Sequence, residues 1–219
     1  MWSAAPAPRR PVGGLLRPGF ALARGMKVGV FGGSFNPAHP GHAHVAETAR
    51  ERLALDRVLW LVSPQNPLKS AQGTASLAER LAGARRLARG RAMIVSDVET
   101  RAGTRYTIDT LRALKARFPG VRFVWLMGAD GLRDLHLWRG WPQILREIPV
   151  AAIARPGASL KSRQAPAARR FAHARRPARQ ARLLAGGPTP GWAFLCAPWN
   201  FQSSTALRAH PKHDRLTPG

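Results

Sequence analysis

The stretch from Met26 to His44 constrains the fold more than any other part of the sequence, and it reads MKVGVFGGSFNPAHPGHAH. An apolar run from Val28 to Phe31 ends abruptly at Gly32 and Gly33, and a segment with helical spacing opens at Pro40. Short apolar runs bounded by glycine are typical of strands, and proline is favoured in the first turn of a helix. The stretch therefore predicts a strand, a tight glycine turn and the N-terminus of a helix.

This junction favours a bound anion. Glycines let the backbone approach a ligand without a Cβ in the way, and the unpaired N–H groups at the start of a helix carry partial positive charge. His39 and His42 lie three residues apart, so both imidazoles reach one pocket if the helix begins near Pro40. Such histidines can donate to phosphate oxygens and stabilise the charge that builds up during transfer. The alternative is an ordinary strand-to-helix turn with surface histidines.

The segment GGSFNPAHPGH resembles the motif G-G-x-F-x-P-x-H-x-G-H of the HxGH nucleotidyltransferases, in the form found in bacterial nicotinate-nucleotide adenylyltransferases. The resemblance extends from about Met26 to Arg208. It implies an α/β fold with a Rossmann-like, open and mostly parallel sheet flanked by helices on both faces. It also implies transfer of the adenylyl group of ATP to nicotinate mononucleotide, which yields deamido-NAD and pyrophosphate. Neither the Walker A pattern nor the fingerprint GxGxxG occurs in this stretch.

The chain of 219 residues suits one domain. Residues 1–25 are rich in Ala, Pro, Gly and Arg and contain no acidic residue, so we expect a disordered or misassigned leader ahead of a functional start at Met26. We expect residues 26–209 to form a single nucleotidyltransferase domain and residues 210–219 a flexible tail.

The formal net charge of +24 raises the possibility of a nucleic-acid-binding protein. The basic residues are mostly arginine and are spread along the whole chain, which favours a coding bias over specific nucleic-acid binding. The basic run from 161 to 182 is the best candidate for an RNA contact, and we expect one exposed helix there with flexible flanks. A positive field would also attract small polyanionic substrates.

No apolar run is long enough to cross a bilayer, so a soluble, cytoplasmic protein is expected. The single cysteine, Cys196, excludes an internal disulfide and a cysteine-based metal site, and its apolar surroundings predict a buried thiol. A homo-oligomer is left open.

Several further elements follow from local patterns. Strands are predicted over 58–62, 93–95, 121–127, 150–154 and 192–196, and helices over 76–89, 105–118 and 141–146. Ser76 and Glu79 form a capping box for the second helix of the chain, and a polar loop is expected over 97–103. The loop after residue 62 ends in Lys69, which is predicted to contact phosphate, the alternative being a solvated lysine.

The resemblance extends to the substrate side of the site. Tyr106 and Thr107 match the family segment S-Y-T-x-x-T-L, whose Tyr and Thr lie close to the nicotinate ring, although Arg105 replaces the usual small residue. The alternative is a half-buried aromatic residue at a helix N-terminus. Trp138 matches a family tryptophan that stacks on the pyridine ring, and the alternative is a core tryptophan. Asp130, which follows a strand and Gly128, is predicted to contact the adenosine part or, alternatively, to cap a helix.

The segment from Phe201 to Arg208 resembles the family motif I-S-S-T-x-I-R, with Gln202 at a position that is usually apolar. Ser203 or Ser204 can cap a helix whose free N–H groups bind an anion, and Arg208 one turn later can reach the same phosphate. The alternative is a plain capped helix.

The predicted site has three parts. Catalysis is assigned to His39, His42 and Arg208. ATP binding is assigned to Gly32, Gly33, Ser34, Phe35, Gly128, Asp130, Ser203, Ser204 and Thr205. Binding of nicotinate mononucleotide is assigned to Lys69, Tyr106, Thr107 and Trp138, and Mg²⁺ is expected to arrive with ATP.

No protein nucleophile is required, because in-line attack by the mononucleotide phosphate needs only positioning and charge neutralisation. Two alternatives stay open. The first is a sister adenylyltransferase that acts on nicotinamide mononucleotide or pantetheine phosphate. The second is a basic nucleic-acid-binding protein with an inactive nucleotide fold.

Overall fold

Parallel strands form one sheet in the computed structural model, which describes residues 18–64, 74–154 and 162–196. The strands of these residues are β1 (Lys27–Gly33), β2 (Arg57–Val62), β3 (Met93–Ser96), β4 (Arg122–Gly128), β5 (Val150–Ala154), β6 (Arg175–Arg176) and β7 (Trp192–Cys196). Their order across the sheet is β3-β2-β1-β4-β5-β7-β6, and every neighbouring pair is parallel. The predicted α/β fold with a Rossmann-like parallel sheet is confirmed.

Helices cover both faces of this sheet. The described helices are α1 (Pro40–Arg52), α2 (Leu77–Leu87), α3 (Val98–Ala102), α4 (Thr107–Arg117), α5 (Ala129–Asp134), α6 (Trp141–Glu147) and α7 (Pro166–Arg170). Short 3-10 turns occupy Leu135–Leu137, Ala172–Ala174 and Ala178–Leu183. The apolar side chains of α1 and α2 pack in the core on one face, whereas those of α3 to α7 pack in the core on the other face.

The central strands are buried on both sides because they lie between these two cores. In β1, Val28 and Val30 face the core of α3 to α7, and Phe31 faces the core of α1 and α2. This arrangement explains why the inner strands read as continuous apolar runs. The predicted strands at 150–154 and 192–196 have the observed bounds, and the capping box of Ser76 and Glu79 at the start of α2 is confirmed.

The order in which the chain adds strands to the sheet reverses between β1 and β4, although all strands stay parallel. From β1 the chain moves outward to β2 and β3, and it then returns to β4 on the other side of β1. In open α/β sheets, ligands bind in the crevice at the carboxyl ends of the strands where such a reversal occurs. The loops after β1 and β4 are therefore the expected place for a site.

The polar loop predicted over 97–103 is wrong, because Val98–Ala102 forms the short helix α3. Val98 is buried in the core, and Gly103 ends the helix with a φ of 62°, in the left-handed region that favours glycine. A helix of five residues is too short to show a periodic pattern in the sequence.

The single exposed helix predicted within the basic run 161–182 is also wrong. Its described part is divided among α7, two 3-10 turns and β6, which pairs with β7. Phe171 is buried, and its carbonyl accepts a hydrogen bond of 2.7 Å from the indole N–H of Trp192. Arginines lie outside this apolar layer, and Arg175 stacks over Trp192 at 5.6 Å.

The expectation of a buried Cys196 is wrong as well. Cys196 is exposed, although the four preceding residues of β7 are buried. It is the last residue of the strand and lies at the carboxyl edge of the sheet, beyond the layer that the helices cover.

Residues 18–25, which the sequence analysis assigns to the leader, pack on the domain. Phe20 stacks on Phe118 at the end of α4 with 5.6 Å between ring centroids, and Leu22 packs against the same core. The hydroxyl of Ser96 donates to the carbonyl of Pro18 at 3.4 Å. Residues 1–17 and the predicted tail 210–219 lie outside the described residues. Within the described residues, none of the helices has both the length and the apolar character needed to cross a bilayer.

A chain that starts at Met26 should be less stable than one that starts at Pro18. Removal of residues 18–25 exposes Phe118 and takes away the partly buried Phe20, which should lower the free energy of unfolding by about 2 kcal/mol. The free energies of unfolding of both truncated proteins and of the full chain are measured by urea denaturation, monitored by circular dichroism. Equal stability of the two truncated proteins would contradict the packing role of this segment.

Candidate active site

The end of β1 carries the predicted phosphate motif. Gly32 and Gly33 are the last residues of this strand rather than a turn beyond it. A Cβ on Gly32 would overlap the indole of Trp125, and a Cβ on Gly33 would lie 3.2 Å from the ring of Phe35. A side chain at position 32 would force Trp125 to move, whereas one at position 33 would require the Phe35 ring to shift by a few tenths of an ångström.

Phe35 holds the loop after β1 in an unusual conformation. Its φ is 47°, in the left-handed region that bulky residues rarely occupy. The side chain is only 1% exposed, and it stacks on Trp60 with 5.1 Å between ring centroids. It also meets the imidazole of His42 edge-on at 5.0 Å. The ring is thus turned into the core, where it packs against His42.

His39 and His42 together cap the N-terminus of α1. His39 is the N-cap residue, and its Nδ1 accepts a hydrogen bond of 3.0 Å from the backbone N–H of Gly41. The backbone N–H of His39 donates to Nδ1 of His42 at 3.2 Å. These reciprocal bonds form a capping box in which imidazoles replace the usual hydroxyl and carboxylate.

The capping bonds determine the tautomer of both rings. A ring nitrogen that accepts a hydrogen bond carries no proton, so a neutral imidazole held in this way has its proton on Nε2. The two ring centroids are 3.9 Å apart. In the neutral form each ring therefore carries its donor at Nε2, and donors at the start of a helix suit an anionic oxygen, although His39 itself is only 1% exposed.

The carboxyl end of β4 lies beside that of β1, since the two strands pair in parallel with Phe31 opposite Leu126. Gly128 is the N-cap residue of α5, and Asp130 lies in the first turn of this helix. A Cβ on Gly128 would overlap Oδ1 of Asp130, so glycine gives this carboxylate its room. Asp130 is exposed and makes no side-chain cap, so the alternative of a helix cap is wrong.

The N-terminus of α4 lies at the same edge, because α4 belongs to the crossover that leads from the end of β3 to the start of β4. Tyr106 is its N-cap residue and Thr107 its first residue. The Tyr106 ring is half-buried, and the guanidinium of Arg139 lies 4.6 Å from the ring centroid. Arg139 was not predicted to belong to the site, and its position next to Trp138 is the one signal in the sequence that points to it.

Trp138 is half-buried and packs on the core of α3 to α7. Its ring meets that of Trp125 edge-on, with 6.1 Å between centroids. Trp125 also lies against Gly32, as described above. A single buried indole therefore joins the phosphate motif of β1 to the aromatic residues predicted for the pyridine side.

Glu99 is a second residue that sequence reasoning missed. Burial raises the pKa of this carboxyl to about 7, although a hydrogen bond of 3.4 Å from the Thr110 hydroxyl lowers it. The Thr110 hydroxyl also lies 2.8 Å from that of Thr104 and can donate to the carbonyl of Tyr106 at 3.3 Å. Glu99 thus belongs to a polar network beneath the start of α4.

Five predicted residues lie outside the described part of the chain. They are Lys69, Ser203, Ser204, Thr205 and Arg208. The roles assigned to them stay predictions, and so does the expected approach of Arg208 to the histidine pair.

The described residues contain no group of three or more His, Cys, Asp or Glu side chains that could hold a metal ion. Mg²⁺ is compatible with such a site, because it usually keeps several waters and is held by one or two carboxylates together with substrate phosphates. Asp130 is the exposed carboxylate described above at this edge of the sheet.

The parallel sheet with a glycine strand end and a capped helix at its reversal point defines a nucleotidyltransferase of the cytidylyltransferase-like class. The family model described as cytidylyltransferase-like matches residues 30–210.

Curated relatives indicate the particular family within this class. A protein of Caulobacter sp. (strain K31), named "Probable nicotinate-nucleotide adenylyltransferase", is 68% identical over 183 residues, which cover 84% of this chain and 97% of the relative. A protein of Parvibaculum lavamentivorans with the same name is 52% identical and is covered over 93% of its length, with 85% of this chain aligned. The chain belongs to the family of nicotinate-nucleotide adenylyltransferases.

Solved structures agree with the fold. The nicotinic acid mononucleotide adenylyltransferase of Plasmodium falciparum, complexed with NaAD, is similar with a TM-score of 0.63 and 16% sequence identity. The match covers 84% of this chain and 83% of that one. The same Plasmodium enzyme complexed with APC gives a TM-score of 0.61.

Replacement of His39 should separate the contribution of its capping bond to stability from the other roles of its imidazole. Asparagine keeps an N-cap acceptor, whereas alanine removes it, so His39→Asn should be more stable than His39→Ala by about 1 kcal/mol. Urea denaturation gives the two free energies of unfolding. Equal values would show that the bond from Gly41 does not stabilise α1.

The stability of the protein should depend on the protonation of Glu99. The pKa of Glu99 is raised in the folded protein, so protonation of this carboxyl stabilises the fold. This stabilisation is fully present below about pH 4.3, the ordinary pKa of glutamate, and is lost as the pH rises to about 7. Glu99→Gln should abolish this loss of about 2 kcal/mol, whereas Glu51→Gln at an exposed position of α1 should keep it. Urea denaturation between pH 4.5 and 8 tests this, and identical pH profiles of wild type and Glu99→Gln would refute it.

Proposed function

We propose that this protein transfers the adenylyl group of ATP to nicotinate mononucleotide, producing deamido-NAD and pyrophosphate in NAD biosynthesis. The observation that carries the proposal is the pair of imidazoles at the start of α1, which are oriented by backbone bonds at the reversal point of the sheet. The names of the relatives and the bound NaAD of the Plasmodium enzyme support it.

The reaction is an in-line displacement at the α-phosphorus of ATP. An oxygen of the mononucleotide phosphate forms the new bond to phosphorus, and the bond to the bridging oxygen of the departing pyrophosphate breaks. Nε2–H groups of His39 and His42 donate to phosphate oxygens and stabilise the negative charge of the transition state. The free N–H groups of α1 add partial positive charge from the same direction.

ATP is held along the edge formed by β1 and β4. The backbone of residues 32–35 surrounds its phosphates, and Asp130 after Gly128 accepts hydrogen bonds from ribose hydroxyls. Ser203, Ser204, Thr205 and Arg208 hold the departing pyrophosphate. Mg²⁺ that arrives with ATP would neutralise part of the negative charge of its phosphates.

The mononucleotide lies on the side of α4 and Trp138. The indole of Trp138 stacks on the electron-poor pyridine ring, with Tyr106 and Thr107 beside it. Lys69 contacts its phosphate. A cytoplasmic location is part of the proposal, since both substrates are small charged metabolites.

The proposal predicts pyrophosphate release from ATP with nicotinate mononucleotide. A coupled assay should compare this substrate with nicotinamide mononucleotide and pantetheine phosphate. His42→Ala should lower turnover by about two to three orders of magnitude, the usual scale for loss of a transition-state donor. His44→Ala, a matched control on the same helix but outside the motif, should retain turnover within about threefold, the background expected for a change away from the site.

Three outcomes would count against the proposal. The first is a preference for one of the other acceptors, which would assign the protein to a sister activity. The second is near-normal turnover of folded His42→Ala. Absence of pyrophosphate release together with steeply salt-dependent oligonucleotide binding would favour a nucleic-acid-binding protein.

A further inference from the structure

Arg80, in the first turn of α2, is buried although its helix lies on the surface of the domain. It is only 3% exposed, whereas Arg85 and Arg86 of the same helix are exposed. Arginine is rarely buried to this extent unless its guanidinium is paired. The role of Arg80 therefore depends on what its guanidinium binds.

The guanidinium of Arg80 donates to four backbone carbonyl oxygens. Nη1 binds Ser34 at 2.9 Å and Ser63 at 2.6 Å. Nη2 binds Pro64 at 2.8 Å, and Nε binds Ala75 at 3.0 Å. Within the described residues it forms no ion pair with a carboxylate. Bonds from a charged donor are stronger than neutral ones, so these carbonyls take the place of a counter-ion.

These four carbonyls belong to three separate segments, namely the loop after β1, the two residues that follow β2 and the residue that precedes the N-cap of α2. The loop and α2 are also joined directly, because the N–H of Ala75 donates to Oδ1 of Asn36 at 3.2 Å. Arg80 thus connects the predicted phosphate loop after β1 to the residues after β2 and to the start of α2.

The bond to Ser34 orients a strained peptide. In a planar trans peptide, the carbonyl of Ser34 and the N–H of Phe35 point in opposite directions. Since the carbonyl points to Arg80, the N–H of Phe35 points away from α2. Phe35 has the left-handed φ of 47°, a conformation that persists only where neighbouring contacts hold it. Loss of Arg80 would remove one of the contacts that hold this peptide in its strained conformation.

We propose that Arg80 is a positioning residue for adenylyl transfer, which fixes the Ser34–Phe35 peptide in the phosphate loop and places a positive charge behind it. This inference rests on the proposed function. The described bonds of Arg80 all go to the backbone of the protein, so it acts through the loop rather than on a reacting atom.

Three variants test the inference by steady-state kinetics. Arg80→Met removes every donor at similar volume, Arg80→Lys keeps the charge without the planar fork, and Arg85→Met is the matched exposed control. We expect kcat/KM for ATP to fall about 100-fold in Arg80→Met and about 10-fold in Arg80→Lys, the scale of a misplaced reacting group. The control should stay within about twofold, as expected of a surface change.

Amide hydrogen exchange separates positioning from general destabilisation. In Arg80→Met, exchange should accelerate in the segment 33–36 and stay unchanged in α4, which lies on the other face of the sheet. Acceleration throughout the domain would indicate a merely structural role and overturn the inference. Measurements are made at a temperature where circular dichroism shows each variant to be folded.

The outcomes distinguish this inference from the proposed function. If the wild type releases pyrophosphate and folded Arg80→Met has the same kcat and KM, the inference is overturned and the proposed function stands. If the wild type is inactive with every mononucleotide, the proposed function fails and the positioning role of Arg80 in adenylyl transfer fails with it. If Arg80→Met does not fold, Arg80→Lys decides, and wild-type kinetics in that variant would overturn the inference.

Discussion

The bonds between the backbone at the start of α1 and the Nδ1 atoms of His39 and His42 are the interaction on which the candidate site depends. Serine, threonine, aspartate and asparagine are the usual N-cap residues, and their side-chain oxygens accept the capping bond. An imidazole is different, because acceptance at Nδ1 leaves the proton at Nε2. Stability of the helix and orientation of the donors therefore come from the same bonds.

Packing around this cap makes it rigid. Phe35 lies edge-on to His42 and stacks on Trp60, and the strained backbone of Phe35 is held from behind by Arg80. Each contact alone is modest, but together they determine the path of the loop from β1 into α1. A phosphate that binds here meets a preformed surface, which avoids the entropic cost of ordering the loop at the moment of reaction.

The sequence was sufficient for the parts of the fold with strong local signals. Strands such as 150–154 and 192–196 are unbroken apolar runs, and the capping box marked the start of α2. Prediction from the sequence was wrong where the local signal was weak or misleading. The helix α3 is too short to show a period, and the many arginines of 161–182 concealed the alanines and Phe171 that pack inward.

The histidine pair was predictable because its residues lie in one short motif. Arg80 and Glu99 were not, since their partners are distant in sequence or are backbone atoms. Ser34, for example, lies 46 residues from Arg80. Only the folded chain brings such groups together, and no spacing in the sequence announces a bond from a side chain to a remote carbonyl.

The contact between Gly32 and Trp125 has a consequence for how this site can change. The edge of that indole lies against the glycine strand end, and the ring also meets Trp138, so the proposed phosphate side and the proposed pyridine side of the site would share a wall. Any side chain larger than hydrogen at position 32 would force this indole to move. Under the proposed function, binding of the donor nucleotide and selectivity among acceptors would then depend on the same ring, and a change in one would require a compensating change in the other.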